Sequence, residues 1–275
     1  MMANSALLLC TDMDGTVIPD GRHPEAPDAR PAFAAFCAQP HVTLVYVTGR
    51  DRGLVQKAIA EFSLPLPDYA ITDVGSMIYA VQDGAWTEWT AWNDELARDW
   101  AAMDGTGIAR LFSEIPGLRL QEESKQNLHK VSFYFDAATN REHLRQTVEK
   151  QLADLNLRCN CIWSVDPVLG YGLLDLLPKG ANKLLAIRFL QERLSVGQED
   201  VVFAGDSGND MQVFHSEIRS ILVGNADEEV RQEAVEAVTQ SGRSNLLYCA
   251  RGFYAAGVLE GIRHYQPHER MEEGR

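Results

Sequence analysis

The sequence predicts an α/β fold, a mainly parallel sheet with helices between its strands, interrupted by an inserted α+β cap. Three observations carry that expectation. Short apolar runs at Leu7-Leu8-Leu9-Cys10, Val42–Val47 and residues 201–204 read as strands buried on both faces, as parallel sheets require. Segments of helical period lie between such runs. Each run also ends in polar residues: Asp12-Met13-Asp14-Gly15-Thr16, Thr48-Gly49-Arg50, and Asp206-Ser207-Gly208-Asn209-Asp210.

The elements follow in order. After the first strand comes a loop rich in Pro and Gly, residues 19–31, then a helix over residues 32–38 and the Val42–Val47 strand. Leu54, Val55, Ala58, Ile59 and Phe62 make one apolar helix face, which Pro65 and Pro67 end. Tyr69–Thr72 is a short strand, with Gly75 in a turn. The pattern changes after Gly84. Trp86, Trp89, Trp92 and Trp100 crowd together, and Asn93 is placed to cap a helix reaching Met103. Val131–Phe135 alternates like a half-buried antiparallel strand. Leu144, Val148, Leu152 and Leu155 mark an amphipathic helix, and residues 161–165 and 173–177 read as strands. Strands with one wet face suit a sheet that covers something. Strand–helix alternation then returns, with a helix over Lys183–Leu194, strands at 201–204 and 220–223, and a helix over 227–238. The expected division is therefore a core of residues 1–83 and 178–275 around an inserted cap of residues 84–177. The polar tail, residues 268–275, is expected to fray.

Composition narrows the classes. The chain has 275 residues, 45% hydrophobic and 23% charged, as an ordinary two-domain globular protein would. A formal charge of −14, from 25 basic and 39 acidic residues, argues against nucleic-acid binding and against docking on anionic membranes. It reads most simply as solubility. Five cysteines, mostly scattered, do not suggest a disulfide framework, and Cys159 and Cys161 read as packing residues. The apolar run before Asp12 is too short for a signal-peptide core, and no run approaches a membrane span; a cytoplasmic location is the default.

Open α/β folds bind ligands where strand ends converge. Four carboxylates, Asp12, Asp14, Asp206 and Asp210, are therefore expected to meet. Like charges that close cannot all ionise cheaply without a cation, and Mg²⁺ suits an all-oxygen shell. Asp12 has the chemistry of a nucleophile toward phosphorus. Asp14 has that of a general acid and base, and the Thr16 hydroxyl can orient it. Asp-x-Asp is also a common turn former. The Thr48 hydroxyl and Gly49 N–H can bond a phosphoryl oxygen; the same residues can simply end a strand before a helix capped by Thr48 or Asp51. Arg50 is either a surface residue or a substrate contact. Asp206 and Asp210 offer metal ligands, while Asn209 donates to phosphate or holds a carboxylate. No dinucleotide or Walker loop occurs. Lysines near helix starts usually face water, but this site needs a cation, and Lys183 is the choice. Of Trp86, Trp89 and Trp92, at least two are expected to pack in a core and not to stack on a sugar. His129 and Lys130 face solvent or reach a ligand, with Lys130 preferred as the ligand.

Taken together, Asp-Met-Asp-Gly-Thr, Val-Thr-Gly-Arg, Lys183 and Gly-Asp-Ser-Gly-Asn-Asp resemble the four signatures of the haloacid dehalogenase-like (HAD) superfamily of phosphohydrolases. The resemblance implies a Rossmann-like three-layer core, Mg²⁺ and an aspartyl-phosphate intermediate. It implies Asp12 as nucleophile, Asp14 as acid and base, and Thr48 and Lys183 on the phosphoryl group. Asp206, Asp210 and the Asp14 backbone carbonyl would hold the metal. Gln121-Glu122-Glu123-Ser124-Lys125-Gln126-Asn127-Leu128-His129-Lys130-Val131-Ser132 resembles a cap segment of the sucrose-phosphate phosphatase family. So do Asp73-Val74-Gly75-Ser76, the Trp-rich stretch and Asp175-Leu176-Leu177-Pro178-Lys179-Gly180. That resemblance implies a phosphomonoesterase acting on a small sugar phosphate, sucrose 6-phosphate or a related disaccharide phosphate. Asn127-Leu128 departs from the Pro or Arg expected there, so mannosylfructose phosphate and glucosylglycerol phosphate stand beside it. A hexose phosphomutase or other phosphotransferase, and a non-catalytic phospho-acceptor or Mg²⁺-binding module, are the alternatives. The second would not need Asp14.

Overall fold

The computed structural model describes residues 7–136, 138–166 and 170–266; the tail expected to fray lies outside them. The chain divides into two units, residues 1–88 with 183–275, and residues 89–182. In the first unit the elements run β1 (Leu7–Thr11), α1 (Ala29–Cys37), β2 (Val42–Val47), α2 (Arg52–Phe62), β3 (Tyr69–Thr72), β4 (Met77–Gln82) and β5 (Ala85–Glu88). The second unit holds α3 (Thr90–Ala97), α4 (Gly105–Phe112), β6 (Leu118–Leu120), β7 (Val131–Phe135), α5 (Arg141–Asp154), β8 (Cys159–Val165) and β9 (Gly172–Pro178). The first unit then resumes with α6 (Lys183–Leu194), β10 (Val201–Gly205), α7 (Met211–Phe214), β11 (Arg219–Leu222), α8 (Glu228–Gln240), β12 (Leu247–Cys249) and α9 (Tyr254–Tyr265).

The first unit is built on one sheet of order β12-β11-β10-β1-β2-β3-β4-β5. Strands β12 through β3 are parallel, and β4 and β5 extend the sheet antiparallel. Leu7, Leu9, Leu44, Tyr46, Val202 and Ile221 pack with Phe33 of α1, Val55 and Ile59 of α2, and Val258 and Ile262 of α9. Alternate residues Leu8, Cys10, Val45 and Val47 point to the opposite face and are buried as completely. Both faces are therefore covered, which is why these strands read as unbroken apolar runs. The chain leaves β1 toward β2 and β3, but leaves β10 toward β11 and β12. The ends of β1 and β10 thus flank a topological switch point, where open α/β sheets bind ligands.

The second unit is a four-stranded antiparallel sheet of order β6-β7-β9-β8. Val131, Phe133, Phe135, Leu174 and Leu176 pack with Ile108 and Phe112 of α4 and with Leu144, Val148 and Leu152 of α5. The expected alternation in β7 is interrupted at Ser132, which is also buried because Gln126 Oε1 accepts its N–H at 2.8 Å and its hydroxyl donates to the Lys125 carbonyl.

Several expectations are corrected. The boundaries at 84 and 177 shift to 89 and 182. β5 pairs with β4 and so belongs to the large sheet. Residues beyond β9 are tied into the second unit by the Lys179 N–H on the Arg158 carbonyl and the Gly180 N–H on Asp99. Asn93 caps nothing; it sits inside α3, which starts after Trp89 and stops at Ala97. Leu54 leaves the apolar face of α2 and is 41% exposed. Trp92 is buried and Trp86 packs partly buried on the first unit's core, so packing accounts for two of the three tryptophans. The Trp100 indole N–H donates to Cys159 Sγ at 3.0 Å. Among the described residues no helix is long and apolar enough to cross a membrane.

Gly257 lets α9 approach the backbone after β12. A Cβ there would lie 2.3 Å from the Gly252 carbonyl oxygen and 3.3 Å from Val223 Cβ. Gly257→Ala should therefore destabilise by roughly 1–3 kcal/mol, although alanine alone would favour the helix by about 1 kcal/mol. Urea denaturation decides between these signs.

Candidate active site

Parallel pairing brings the polar strand ends together. The Thr11–Ala204 register and the Asp12 N–H donated to the Ala204 carbonyl at 2.8 Å set Asp12 beside the end of β10. Asp12, Asp206 and Asp210 are buried, and one oxygen of each lies within 4.8 Å of the others. Lys183, at the first position of α6, is 2% exposed. Its ammonium donates to Asp12 Oδ2 and Asp210 Oδ1, both at 2.7 Å, and to Asn209 Oδ1 at 3.0 Å. Asp210 is fixed further because its Oδ2 accepts the N–H groups of Asp206 and Ser207 at 3.2 and 3.3 Å. Gly15, at φ 71°, makes the turn after Asp12, and a Cβ there would fall 2.3 Å from Asp206 Oδ2. Only glycine allows both the left-handed conformation and that approach.

Charge follows from burial. Desolvation raises the Asp12 carboxyl above the usual range, against the pull of Lys183, and the neighbouring Asp210 raises it further. Desolvation likewise pushes Asp206 up to about 6, against the Thr16 hydrogen bond. Burial works against the Lys183 ammonium, but Asp12 and Asp210 outweigh it and raise its pKa. Three carboxylates share one ammonium, which leaves negative charge uncompensated. Asp206 Oδ1 accepts the Thr16 hydroxyl. Hard carboxylate oxygens clustered in a buried site fit a divalent cation of the Mg²⁺ or Ca²⁺ type.

Asp14 is the exception to the expected cluster of four. Its side chain is 56% exposed and points away, held in a fork by Arg50 at 2.6 and 2.7 Å. Thr16, expected to orient Asp14, instead donates to Asp206 Oδ1 at 2.9 Å. Asp51 caps α2 by accepting the Leu54 N–H, and the Thr48 hydroxyl accepts the Arg50 N–H at 3.2 Å. Asp12, Asp14, Thr48, Gly49, Arg50 and Asn209 line one cleft of about 460 Å³. Lys130 lies in the second unit, half-buried just before β7.

Two features go beyond the sequence: a further carboxylate in the cleft, and the backbone conformation of the Asp73-Val74-Gly75-Ser76 stretch, which the sequence marks only by resemblance and as a turn at Gly75. Asp20 also lines the cleft. Burial opposes its charge, but hydrogen bonds from the Tyr254 hydroxyl and from Arg22 hold it down to about 2. Its signal was slight, one carboxylate in a Pro- and Gly-rich loop. The second is the turn after β3, where Asp73 and Val74 adopt φ 50° and 60°. A β-branched residue there is strained. The turn is held by the Val74 N–H on the Thr48 carbonyl and the Asp73 N–H on the Arg50 carbonyl. It thus supports the Thr48–Gly49–Arg50 loop, and nothing in local sequence marks a valine for that conformation.

A Rossmann-like sheet with an inserted α+β unit, three buried carboxylates beyond two strand ends and a buried lysine match the phosphohydrolases of the haloacid dehalogenase class, as the comparisons with known proteins bear out. The structure of the sucrose-phosphatase from Synechocystis, solved in complex with sucrose and phosphate, is similar at TM-score 0.70 and 27% identity, covering 95% of this chain and 98% of that one. A putative HAD-like hydrolase from Nitrosococcus oceani is 46% identical over 98% of this chain and 75% of its own length. The mannosylfructose-phosphate phosphatase of Agrobacterium fabrum is 33% identical over 94% of this chain and 96% of its own. The model of the sucrose-6F-phosphate phosphohydrolase family matches residues 5–266, and the chain belongs to that family.

Lys183→Met should expose how tightly this site is balanced. Removing one partner of a buried ion pair costs roughly 3–5 kcal/mol. That loss should appear in metal-free protein at pH 8 and shrink toward pH 5, where Asp12 and Asp206 can take up protons. Denaturant midpoints at the two pH values measure it; an equal loss at both would refute the assignment.

Proposed function

We propose that this chain is a Mg²⁺-dependent phosphomonoesterase acting on a phosphorylated disaccharide or glycoside, with sucrose 6-phosphate first among the candidates. The observation that carries the reading is the Lys183 ammonium set between Asp12 and Asp210 beside Asp206 at the switch point. In this reading Asp12, Asp206, Asp210 and the Asp14 carbonyl hold the cation. When bound, it offsets the repulsion between an anionic nucleophile and an anionic phosphate.

The rest is done by side chains. An Asp12 carboxylate oxygen attacks phosphorus in line. The bond from phosphorus to the sugar oxygen breaks as Asp14 gives that oxygen a proton. Asp14, now a carboxylate, takes a proton from water. The water oxygen attacks the acyl phosphate, inorganic phosphate leaves and Asp12 is restored. Thr48, the Gly49 N–H, Lys183 and Asn209 bind the phosphoryl oxygens. Asp14 must leave its fork with Arg50 to reach the leaving oxygen. Arg50 is then free to contact the sugar, a role this reading also gives to Lys130. Uncatalysed monoester hydrolysis is so slow that accelerations up to ~10²¹-fold are known, so charge placement around phosphorus has to supply much of the rate.

A mannosylfructose phosphate is the second reading for the sugar. The Agrobacterium phosphatase named for it is 33% identical, against 27% for the Synechocystis sucrose-phosphatase. Phosphate release from a panel of sucrose 6-phosphate, mannosylfructose phosphate and glucosylglycerol phosphate decides the substrate. Release without an added acceptor sugar separates hydrolysis from phosphotransfer.

Asp12→Asn should abolish that release while the circular dichroism spectrum stays unchanged; near-normal turnover would sink the mechanism. Asp14→Asn should lower kcat by roughly 10²–10⁴-fold, the usual worth of a positioned acid or base. Protons compete with the cation for the same oxygens. Because burial pushes Asp12 up to about 7 and Asp206 up to about 6, Mg²⁺ affinity should hold at pH 8 and weaken as the pH falls through 7 and 6. Calorimetric titrations from pH 5 to 8 test this, and a flat profile would contradict it.

A further inference from the structure

Asn225 lies just past β11, in Val223-Gly224-Asn225-Ala226, and is 2% exposed. Both ends of its amide are engaged. Nδ2 donates to the Gly15 carbonyl at 2.6 Å, and Oδ1 accepts the Tyr254 N–H at 2.9 Å. A carbonyl only accepts and an N–H only donates, so the partners fix the amide's orientation. Its two contacts span 210 and 29 residues of sequence.

What Asn225 grips is the wall of the cation site. Gly15 lies so close to Asp206 that a Cβ on it would sit 2.3 Å from Oδ2. The next residue, Thr16, donates to Asp206 Oδ1 at 2.9 Å. The position of the Gly15–Thr16 backbone therefore sets the direction of the Asp206 carboxylate. On its other side Asn225 is anchored to Tyr254, which is fully buried and has φ 52°, a conformation that residues with a Cβ seldom adopt. The Tyr254 hydroxyl reaches back to Asp20 Oδ1 at 2.6 Å, in the same cleft. Asn225 itself bonds to none of the three clustered carboxylates.

We propose that Asn225 is a positioning residue for the cation site. It clamps the Gly15 carbonyl, holds the Gly15–Thr16 turn against Asp206, and keeps that carboxylate aimed at the ion. The inference rests on reading the Asp12, Asp206 and Asp210 cluster as a divalent-cation site. The role needs a donor and an acceptor at fixed spacing on one buried side chain. Serine is too short to span both partners, and aspartate has no donor for the carbonyl.

The test is calorimetric titration of Mg²⁺ into metal-free full-length protein, wild type and Asn225→Ala, with melting temperatures recorded alongside. Loss of a residue that orients a metal ligand typically weakens affinity by about 10–100-fold. The expected result is an Mg²⁺ Kd weakened by at least about tenfold, which is about 1.4 kcal/mol. The Mg²⁺ concentration giving half-maximal phosphate release should rise by the same factor. A purely structural asparagine would lower the melting temperature and leave the Mg²⁺ Kd alone. If the alanine variant does not fold, Asn225→Ser is read by the same criterion. A folded variant whose Kd stays within about tenfold of wild type overturns the proposal. Wild-type protein that binds no Mg²⁺ would instead defeat the cation reading, and this inference with it.

Discussion

A lysine ammonium withdrawn from water between two carboxylates, 2.7 Å from each, is the interaction on which the remaining site geometry depends. Burying a single ammonium costs several kcal/mol, and burying carboxylates costs as much again. Each charge is tolerable here only because the others are present. Asp210 carries the arrangement furthest. It accepts Lys183 on one oxygen and two backbone N–H groups on the other. The residue that shapes the Asp206 loop is thus the one that anchors the cation of α6. Hydrogen bonds between segments thus tie the site together in a region made of turns.

The sheet supplies what no local segment can. β1 and β10 are neighbours in the sheet although nearly two hundred residues separate them. Their parallel register delivers Asp12 and Asp206 to the same edge. β2, on the other side of β1, delivers Thr48 there. Helices on both faces keep these strands dry, so backbone hydrogen bonds are strong and strand ends are held firmly. The polar side chains at those ends then meet in a setting where desolvation shifts their pKa values.

Much of the candidate site was legible in sequence because buried parallel strands are unmistakable apolar runs, and Asp12, Thr48, Lys183, Asp206 and Asp210 sit at or just beyond their ends or at the start of the next helix. The errors have a common origin. Asp14 and Thr16 are close to Asp12 and to each other in sequence, which suggests that they pair. In the turn their side chains diverge, and each finds a partner far along the chain: Arg50 for Asp14 and Asp206 for Thr16. Short elements leave no pattern in the sequence for a related reason. β12 is three residues long and β6 likewise, too few for periodicity to register. Asn93 has the chemistry of a helix cap, but Trp89 occupies that position and α3 had already begun.

The sequence by itself determined the α/β class, the order of the acidic and hydroxyl-bearing strand ends, and the presence of an inserted unit, because burial imposes period and polarity on local stretches. Tertiary structure alone decided which carboxylates cluster, that Asp14 turns to Arg50, and that Asn225 and Tyr254 reach the loop after β1. Those outcomes are contacts between segments remote along the chain. They are set by strand register and by the desolvation of groups that meet only once the sheet has formed.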